Sequence, residues 1–270
     1  MTYQTIRYDS DERGIVRLTL ARPEKHNALS ALMIDELTDV ASRLGADSAV
    51  RAVILEGDGK SFCAGGDLEW MRQQFTADRP TRIAEATRLA MMFKALNDMP
   101  KPLIARVHGN AFGGGVGLVS VCDAVIAEQG AKFGLTETRL GLIPATISPY
   151  VIARIGEARA RPLFMSARIF GAEEAKTAGL VSMVVNVATF DAAVEAEAAS
   201  YLAAAPGAAG RAKRLARSLG SPITDAVIAA TIEQLADTWE TDEAREGFRR
   251  LLRTPRTLLA ALMFRGSKCA

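Results

Sequence analysis

Two short segments carry the residues best suited to chemistry, and both are rich in small side chains. SFCAGGDLEW (61–70) follows the apolar run RAVILEG (51–57), and GNAFGGGVGL (109–118) follows PLIARV (102–107). Glycine allows a backbone N–H to approach a ligand closely, and the first amides of a helix have no partner within that helix. Two such amides aimed at one point would form an oxyanion hole, which stabilises negative charge on a carbonyl oxygen.

Other interpretations of these residues stay open on the motifs alone. The triplet Gly113–Gly115 also suits close packing of a strand on a helix. The chain lacks a P-loop, and its glycine run lacks the spacing of a dinucleotide-binding loop, which argues against nucleotide binding. Cys63 and His108 could form a thiolate pair, although an isolated cysteine in an apolar segment is more often inert. No GxSxG motif of a serine hydrolase is present.

The elements around these segments repeat in a cycle of strand, loop and helix. Strands are predicted at 15–20, 51–57, 101–109 and 123–129, with a short return to the sheet at 180–186, and helices at 28–44 and 81–98. This repetition predicts an α/β fold with parallel strands and right-handed crossovers. Ligands then belong at the carboxyl ends of the strands, where both glycine-rich segments lie.

The last part of the chain has a different character. After about residue 205 no strand pattern remains. Helices are predicted at 207–219, 222–240 and 241–262, with Pro222 at a start and Pro255 at a break. We therefore divide the chain into a core at 1–205 and a helical C-terminal region at 206–270.

The composition narrows the class of protein. Apolar residues make up 49% and charged residues 24% of the chain, and the formal net charge is +2, as in an ordinary globular protein. Cys63, Cys122 and Cys269 do not have metal-ligand spacing, so we expect a reducing compartment and no metal site. A polar N-terminus and the absence of an 18-residue apolar window predict a cytoplasmic protein that does not insert into membranes.

Seven segments of the sequence together resemble the crotonase, or enoyl-CoA hydratase/isomerase, superfamily. They are LARPEKHNAL (20–29), FCAGGDL (62–68), KPLIARVHGNAFGGGVGL (101–118), CDAVIA (122–127), AKFGLTETRLGLIP (131–144), GAEEAKTAGLVSMVV (171–185) and TDEAREGF (241–248). The resemblance implies a crotonase-like spiral of strand-strand-helix repeats with a helical C-terminal trimerisation region. It also implies an acyl-CoA thioester substrate, no separate cofactor because coenzyme A is part of the substrate, and a homotrimer or dimer of trimers.

The same resemblance assigns individual residues. The oxyanion-hole amides would be those of Gly66 and Gly114, and the catalytic acid/base would be Glu137 in GLTETRLG. The residues assigned to the substrate and its CoA portion are Lys25, Ala28, Ala64, Gly65, Asp67, Leu68, Gly113 and Gly117. We also expect Asp67 to cap the following helix. The alternative for Glu137 is a surface ion pair with Arg139 or Lys132.

One departure from the family pattern bears on the reaction. Hydratases of this family carry a first glutamate in the pattern GGGxE, and this chain has Gly117 at that position. Gly117 is expected to open space beside the reacting carbons for a branched acyl group or a second carboxylate. GLIPATISPYV (141–151) together with GGGVGL resembles the bacterial branch labelled 3-methylglutaconyl-CoA hydratase or the related isohexenylglutaconyl-CoA hydratase, of leucine and acyclic terpene breakdown.

Three functions follow as hypotheses. The first is reversible hydration of a 2-enoyl-CoA by Glu137 and the two amides. The second is isomerisation of a 3-enoyl-CoA to a 2-enoyl-CoA, because one carboxylate suffices to move a proton between two carbons. The third is a non-catalytic acyl-CoA-binding or RNA-binding protein. The C-terminal arginines at 249, 250, 253 and 256 have no interleaved aromatic residues for base stacking, which argues against nucleic acid.

Overall fold

Strands and helices alternate along residues 2–253, the part of the chain that the computed structural model describes. The strands are β1 (Ile6–Ser10), β2 (Ile15–Leu20), β3 (Ala52–Gly57), β4 (Leu103–Val107), β5 (Asn110–Phe112), β6 (Ala124–Glu128), β7 (Lys132–Gly134), β8 (Ile169–Gly171) and β9 (Met183–Val185). The α-helices are α1 (Ala31–Ala46), α2 (Leu68–Thr76), α3 (Arg79–Asp98), α4 (Gly114–Val121), α5 (Ser148–Ile155), α6 (Glu157–Ser166), α7 (Ala172–Ala178), α8 (Phe190–Ser200), α9 (Pro206–Ser218), α10 (Asp225–Trp239) and α11 (Asp242–Arg253).

The main sheet has six strands in the order β1-β2-β3-β4-β6-β9. Strand β1 pairs antiparallel with β2, and every later pairing in this sheet is parallel. The predicted α/β class is confirmed, with all five expected strands in this sheet. The loops that follow β3, β4 and β6 leave the same edge of the sheet and carry Gly66, Gly114 and Glu137.

The central strands β2, β3, β4 and β6 are buried on both faces of the main sheet, which explains their nearly continuous apolar sequences. Side chains alternate between the faces: Val53 and Leu55 belong to the larger core, while Ile54 belongs to a second cluster with Phe190 and Val194 of α8. Burying one such aliphatic side chain contributes about 1.5–3 kcal/mol. The sheet is therefore a rigid base for the loops at its edge.

A smaller sheet, of order β5-β7-β8, stands beyond this edge. Its strands have three residues each, too short to show a period-2 pattern, and the sequence did not predict them as separate strands. Strand β5 pairs parallel with β7, with Ala111 opposite Phe133. Cys63 forms a further parallel bridge with Ala111. Three loops are thus held side by side.

The helical C-terminal region packs back on the core of the same chain. Helix α10 begins at Asp225, three residues after Pro222, because the Thr224 side chain caps it by accepting from the N–H of Val227. A Cβ atom on Gly247 would lie 2.5 Å from the backbone of Leu140, so α11 contacts the turn that carries Glu137.

The remainder of the predicted 241–262 helix, with Pro255 and Arg256, lies outside the described residues. Among the helices within 2–253, none is both long enough and apolar enough to cross a membrane.

Candidate active site

Three chain segments enter the site in register. Cys63, Ala111 and Phe133 lie opposite one another in a row of parallel pairings. Gly66 and Gly114 come three residues after their members of this row, and Glu137 comes four residues after Phe133. These pairings place the three segments side by side, and the turns that follow them bring Gly66, Gly114 and Glu137 to one cavity.

The N–H group of Gly66 points away from the segment paired beside it. The carbonyl oxygen of Gly65 accepts from the N–H of Leu29 at 2.8 Å, and the N–H of Asp67 donates to the carbonyl of Leu29 at 2.9 Å. In a parallel bridge, the residue between those two turns its own N–H to the other side. Gly66 is exposed, and its N–H donates to no acceptor within residues 2–253. This amide is available to a ligand.

The second amide, that of Gly114, is oriented by the turn that leads into α4. The N–H of Gly113 donates to the carbonyl of Gly134 at 2.8 Å, and Gly113 then adopts a φ of 48°, which favours glycine. Gly114 is the first residue of α4, so its N–H has no acceptor within the helix. It has none elsewhere in the described chain. A Cβ on Gly65 would lie 3.6 Å from the nitrogen of Gly114, so the two loops are in direct contact.

The carboxyl group of Glu137 faces these loops from a short turn after β7. Its Oε1 atom lies 3.0 Å from where a Cβ of Gly113 would stand. Part of the residue reaches the surface, but Oε2 is buried and receives no hydrogen bond from any described residue. Burial raises the pKa of Glu137 from 4.5 to about 7, opposed only by a hydrogen bond from its own N–H. A carboxyl with this pKa can both accept and donate a proton at neutral pH.

The alternative role for Glu137 as an ion-pair partner is wrong. In the described part of the chain, neither Arg139 nor Lys132 forms an ion pair with it. Both basic residues are exposed, whereas the glutamate carboxyl turns inward.

The raised pKa predicts a cost in stability. Since the folded protein holds this proton up to about pH 7 and the unfolded chain releases it near pH 4.5, the free energy of unfolding falls between these values. Glu137→Gln removes this dependence. We expect the free energy of unfolding of Glu137→Gln, minus that of the wild type, to increase by up to about 3 kcal/mol between pH 4.5 and pH 8. Urea denaturation at a series of pH values measures this difference. A difference that is constant with pH would contradict the raised pKa.

A cavity of about 110 Å³ brings the three groups together. Its lining consists of Leu29, Gly66, Trp70, Met71, Gln74, Arg82, Ala86, Leu89, Gly114, Glu137, Leu142, Ile143, Pro144, Thr146, Leu235 and Trp239. The walls are mainly apolar, and Glu137 is the single carboxylic acid among these described lining residues. Such a cavity suits an acyl chain whose reacting carbonyl meets the two amides.

One wall of the cavity is polar. The guanidinium of Arg82 donates to the carbonyl of Gln74 at 2.9 Å and to the carbonyl of Phe75 at 3.2 Å, and it lies 5.8 Å from the ring centre of Trp239. The Oε1 atom of Gln74 is buried without a hydrogen-bond partner in the described chain. This wall could bind a polar group on the acyl chain.

The prediction that Gly117 opens space is wrong. Gly117 is buried inside α4, and it does not line the cavity. A Cβ at this position would lie 2.4 Å from Cγ2 of Ile147 and 2.8 Å from the ring of Phe93. Neighbouring side chains already fill the volume that a glutamate would need. Gly117 is a packing residue.

We expect Gly117→Ala to destabilise the protein. Alanine improves helix propensity by about 1 kcal/mol, but overpacking against buried side chains costs about 1–3 kcal/mol, so the net loss should be about 1 kcal/mol. Chemical denaturation measures it. The double variant Gly117→Ala/Ile147→Ala should lose less stability than the sum of the two single losses, because the smaller side chain at 147 leaves room for the added methyl group. A Gly117→Ala variant more stable than the wild type would show that the space is open.

The other predicted substrate residues surround the first loop. Lys25 is exposed on a turn outside the cavity lining, and Ala28 is buried behind that turn. Ala64 donates its N–H to the carbonyl of His26 at 3.0 Å. The expected cap is confirmed: Asp67 accepts from the N–H of Glu69 at the start of α2.

The second carboxyl oxygen of Asp67 forms an ion pair with Arg22 at 2.8 Å. Both oxygens of this carboxylate therefore have partners within the protein. Leu68 is half-buried at the first position of α2. It follows the exposed amide of Gly66 by two residues, outside the cavity lining.

The thiolate interpretation of Cys63 and His108 is not supported. Burial raises the pKa of the Cys63 thiol to about 12, so the thiolate does not form at neutral pH. The Nε2 atom of His108 lies 2.9 Å from the carbonyl oxygen of Gly59, in a backbone contact. Both residues have structural roles.

Comparison with known proteins identifies the family. Residues 10–255 match the sequence model of the enoyl-CoA hydratase/isomerase family. The chain belongs to this family. A predicted enoyl-CoA hydratase of Thermus thermophilus is 33% identical over 242 residues, which cover 88% of this chain and 94% of that protein.

Solved structures agree with the enoyl-CoA hydratase/isomerase assignment. An enoyl-CoA hydratase from Shewanella pealeana superposes with a TM-score of 0.78 at 33% identity, over 94% of this chain and 96% of that one. AtuE of Pseudomonas aeruginosa superposes with a TM-score of 0.78 at 32% identity, over 95% of this chain and 100% of its own. The protein therefore has the crotonase fold and belongs to enzymes that act on acyl-CoA thioesters.

Several cavity residues were not predicted from the sequence. Gln74 and Arg82 come from α2 and α3, Thr146 comes from the loop before α5, and Leu235 and Trp239 come from α10. For α10 the sequence does offer one signal: Trp239, at the end of this amphipathic helix, indicates that one face of the helix is buried.

Proposed function

We propose that the protein is an enoyl-CoA hydratase that adds water reversibly to a 2-enoyl-CoA. The observation that carries this proposal is that two backbone amides, neither with an acceptor in the described chain, line the same cavity as the carboxyl of Glu137, whose Oε2 atom is buried. The amides of Gly66 and Gly114 would bind the thioester oxygen, and Glu137 would move the protons.

The reaction can be written with one acid/base. The Glu137 carboxylate takes a proton from water while the water oxygen bonds to C3 of the substrate. The C2–C3 π electrons move towards the thioester, whose oxygen becomes an enolate oxyanion held by the two amides. The protonated Glu137 then gives its proton to C2, and the carboxylate is restored. A pKa of about 7 suits both steps at neutral pH.

The polar wall supports a finer proposal for the acyl group. Arg82 is the one cationic side chain among the described residues of the lining. Oε1 of Gln74 beside it has no partner in the described chain, and turning this amide would present its N–H to the same group. A carboxylate at the far end of the acyl chain would gain charge-assisted hydrogen bonds there. We therefore favour a branched or dicarboxylic substrate such as 3-methylglutaconyl-CoA. The polar wall at Arg82, rather than open space at Gly117, would then recognise the acyl group.

Isomerisation of a 3-enoyl-CoA is the second candidate. The observation in its favour is the single carboxylic acid among the described lining residues. Glu137 would remove a proton from C2 and return it to C4, with the same two amides holding the enolate between these steps.

A panel of CoA esters in ¹⁸O-labelled water separates these functions. The esters are crotonyl-, 3-methylcrotonyl-, 3-methylglutaconyl- and 3-hexenoyl-CoA, with products identified by mass spectrometry. Hydration places one solvent oxygen in a 3-hydroxyacyl product, whereas isomerisation moves the double bond without it. A higher kcat/KM for the dicarboxylic ester than for 3-methylcrotonyl-CoA supports the role of Arg82. No turnover of any ester would contradict both reactions and favour a non-catalytic binding protein.

A further inference from the structure

A second and larger cavity, of about 680 Å³, lies at the opposite edge of the main sheet. It is lined by residues from the ends of α3 and α4, by Asp123, and by α5 and α9. Asp123 directly precedes β6, and its N–H donates to the carbonyl of Leu103 at the first residue of β4. The amino ends of the strands are thus at this cavity, while the candidate active site lies beyond their carboxyl ends.

The lining carries more positive than negative charge. Its basic side chains are Arg154, Lys213, Arg214 and Arg217, and its acidic side chains are Asp98 and Asp123. Asp98 is already paired with Lys94 of its own helix at 2.6 Å, and that lysine is outside the lining.

Among the described lining residues, Asp123 is therefore the one carboxylate that can neutralise the four basic side chains. One of its oxygens lies 2.8 Å from Nζ of Lys213, and the other lies 3.8 Å from Nη2 of Arg217. Within residues 2–253, Arg154 and Arg214 have no carboxylate within ion-pair distance. Several positive charges around one cavity therefore lack a counter-ion from the described protein.

The position of Arg154 is fixed by the backbone. Its guanidinium donates to the carbonyl oxygens of Leu180 at 2.7 Å and Cys122 at 2.5 Å. These contacts hold the charge in place but do not neutralise it. A guanidinium fixed in this way can attract an anion without losing further side-chain freedom.

Two buried polar atoms of the lining have no hydrogen-bond partner in the described chain. They are Nε of Arg217 and Oδ1 of Asn97. An oxygen of an anion would satisfy the arginine donor. The Asn97 amide is oriented by its own nitrogen, which donates to Oδ1 of Asp98 at 2.8 Å, so its oxygen is an acceptor for a hydroxyl or amine of the ligand rather than for the anion.

We propose that this cavity binds the phosphoryl group of a small molecule. Arginine donors match the oxygens of a phosphoryl group, and the volume lies in the range of ligand pockets, about 300–1,000 Å³. Arg217 and Arg214 make the binding contacts, and Lys213 and Arg154 supply the surrounding positive potential. The site is separate from the one proposed for the acyl-CoA.

Isothermal titration calorimetry of the full chain tests the proposal with two probes, inorganic phosphate and ADP. Each titration is repeated with saturating butyryl-CoA, which cannot be hydrated and occupies the acyl-CoA site. We expect binding of phosphate or ADP that persists with butyryl-CoA present. Preference for ADP would indicate a nucleotide, and equal affinity would indicate recognition of the phosphoryl group alone. Absence of binding by both probes, or loss of binding with butyryl-CoA, would overturn the proposal.

Three variants locate the site. Arg217→Gln and Arg214→Gln should each weaken binding by about tenfold, the effect of one charge-assisted hydrogen bond. Arg214 is exposed, so its substitution should not disturb folding. Arg211→Gln is the matched control, since Arg211 is an exposed arginine of the same helix outside the lining, and binding should be unchanged. Equal weakening by all three, or no weakening by Arg217→Gln and Arg214→Gln, would exclude this cavity as the site.

Discussion

Replacing Glu137 with glutamine should lower kcat by about 10²–10⁴-fold while leaving the affinity for an acyl-CoA ester nearly unchanged. Glutamine keeps the size of the side chain but cannot carry the proton between water and the substrate carbons. The walls and amides of the cavity would remain, so the ester should still bind. Steady-state kinetics and calorimetry with butyryl-CoA measure the two quantities separately.

The pH profile gives an independent readout of the same group. Because the carboxylate form must accept the first proton, kcat/KM should fall as the pH drops through about 7. Any residual activity of Glu137→Gln should lack this limb. Glu173→Gln, at an exposed position on α7, is the control and should keep the wild-type profile. Near-normal turnover by Glu137→Gln would rule out the proposed mechanism.

Removing the amide hydrogen of Gly114 should lower kcat by about 10²–10³-fold, the loss seen when one oxyanion donor is removed. Gly114→Pro does this with little cost to the helix, because proline is favoured at the first helical position. The KM for the ester should change less than kcat, since the amide binds most strongly when charge develops on the oxygen.

Gly114→Ala is the matched control. Both variants place a Cβ where it would lie 2.6 Å from Cδ1 of Leu29, the flexible end of a side chain, but only proline removes the N–H. The ratio of their kcat values therefore measures what is lost when the N–H is replaced by the proline Cδ, which removes the donor and also occupies the position of the amide hydrogen. Equal rates for the two variants, both folded by circular dichroism, would show that this amide does not stabilise the transition state.

The sequence predicts five of the six strands of the main sheet, because four of these five are mainly apolar runs of five or six residues; β1, whose side chains are mostly exposed, is not predicted. The composition points to the two glycine-rich segments, but the choice of Gly66, Gly114 and Glu137 within them and after β7 rests on the resemblance to the enoyl-CoA hydratase/isomerase family. What brings them together is the row of pairings among Cys63, Ala111 and Phe133, in segments too short to show periodicity.

The errors come from contacts between distant parts of the chain. Gly117 and Ile147 are 30 positions apart, and no local pattern indicates that one fills the space beside the other. Likewise, Arg82 and Trp239 meet at the cavity only because the C-terminal helices pack on their own core. The sequence alone does not show whether the space beside a glycine is open or is filled by a neighbouring side chain.

The stretching frequency of the substrate carbonyl tests most directly whether both amides bind the same thioester oxygen. An enoyl-CoA labelled with ¹³C at its carbonyl is bound to Glu137→Gln, which should prevent turnover, and isotope-edited infrared spectra are recorded. We predict a shift to lower frequency than in water, reduced when Gly114→Pro is added but retained with Gly114→Ala. A carbonyl that absorbs as in water, or a shift that survives the proline substitution in full, would contradict the account.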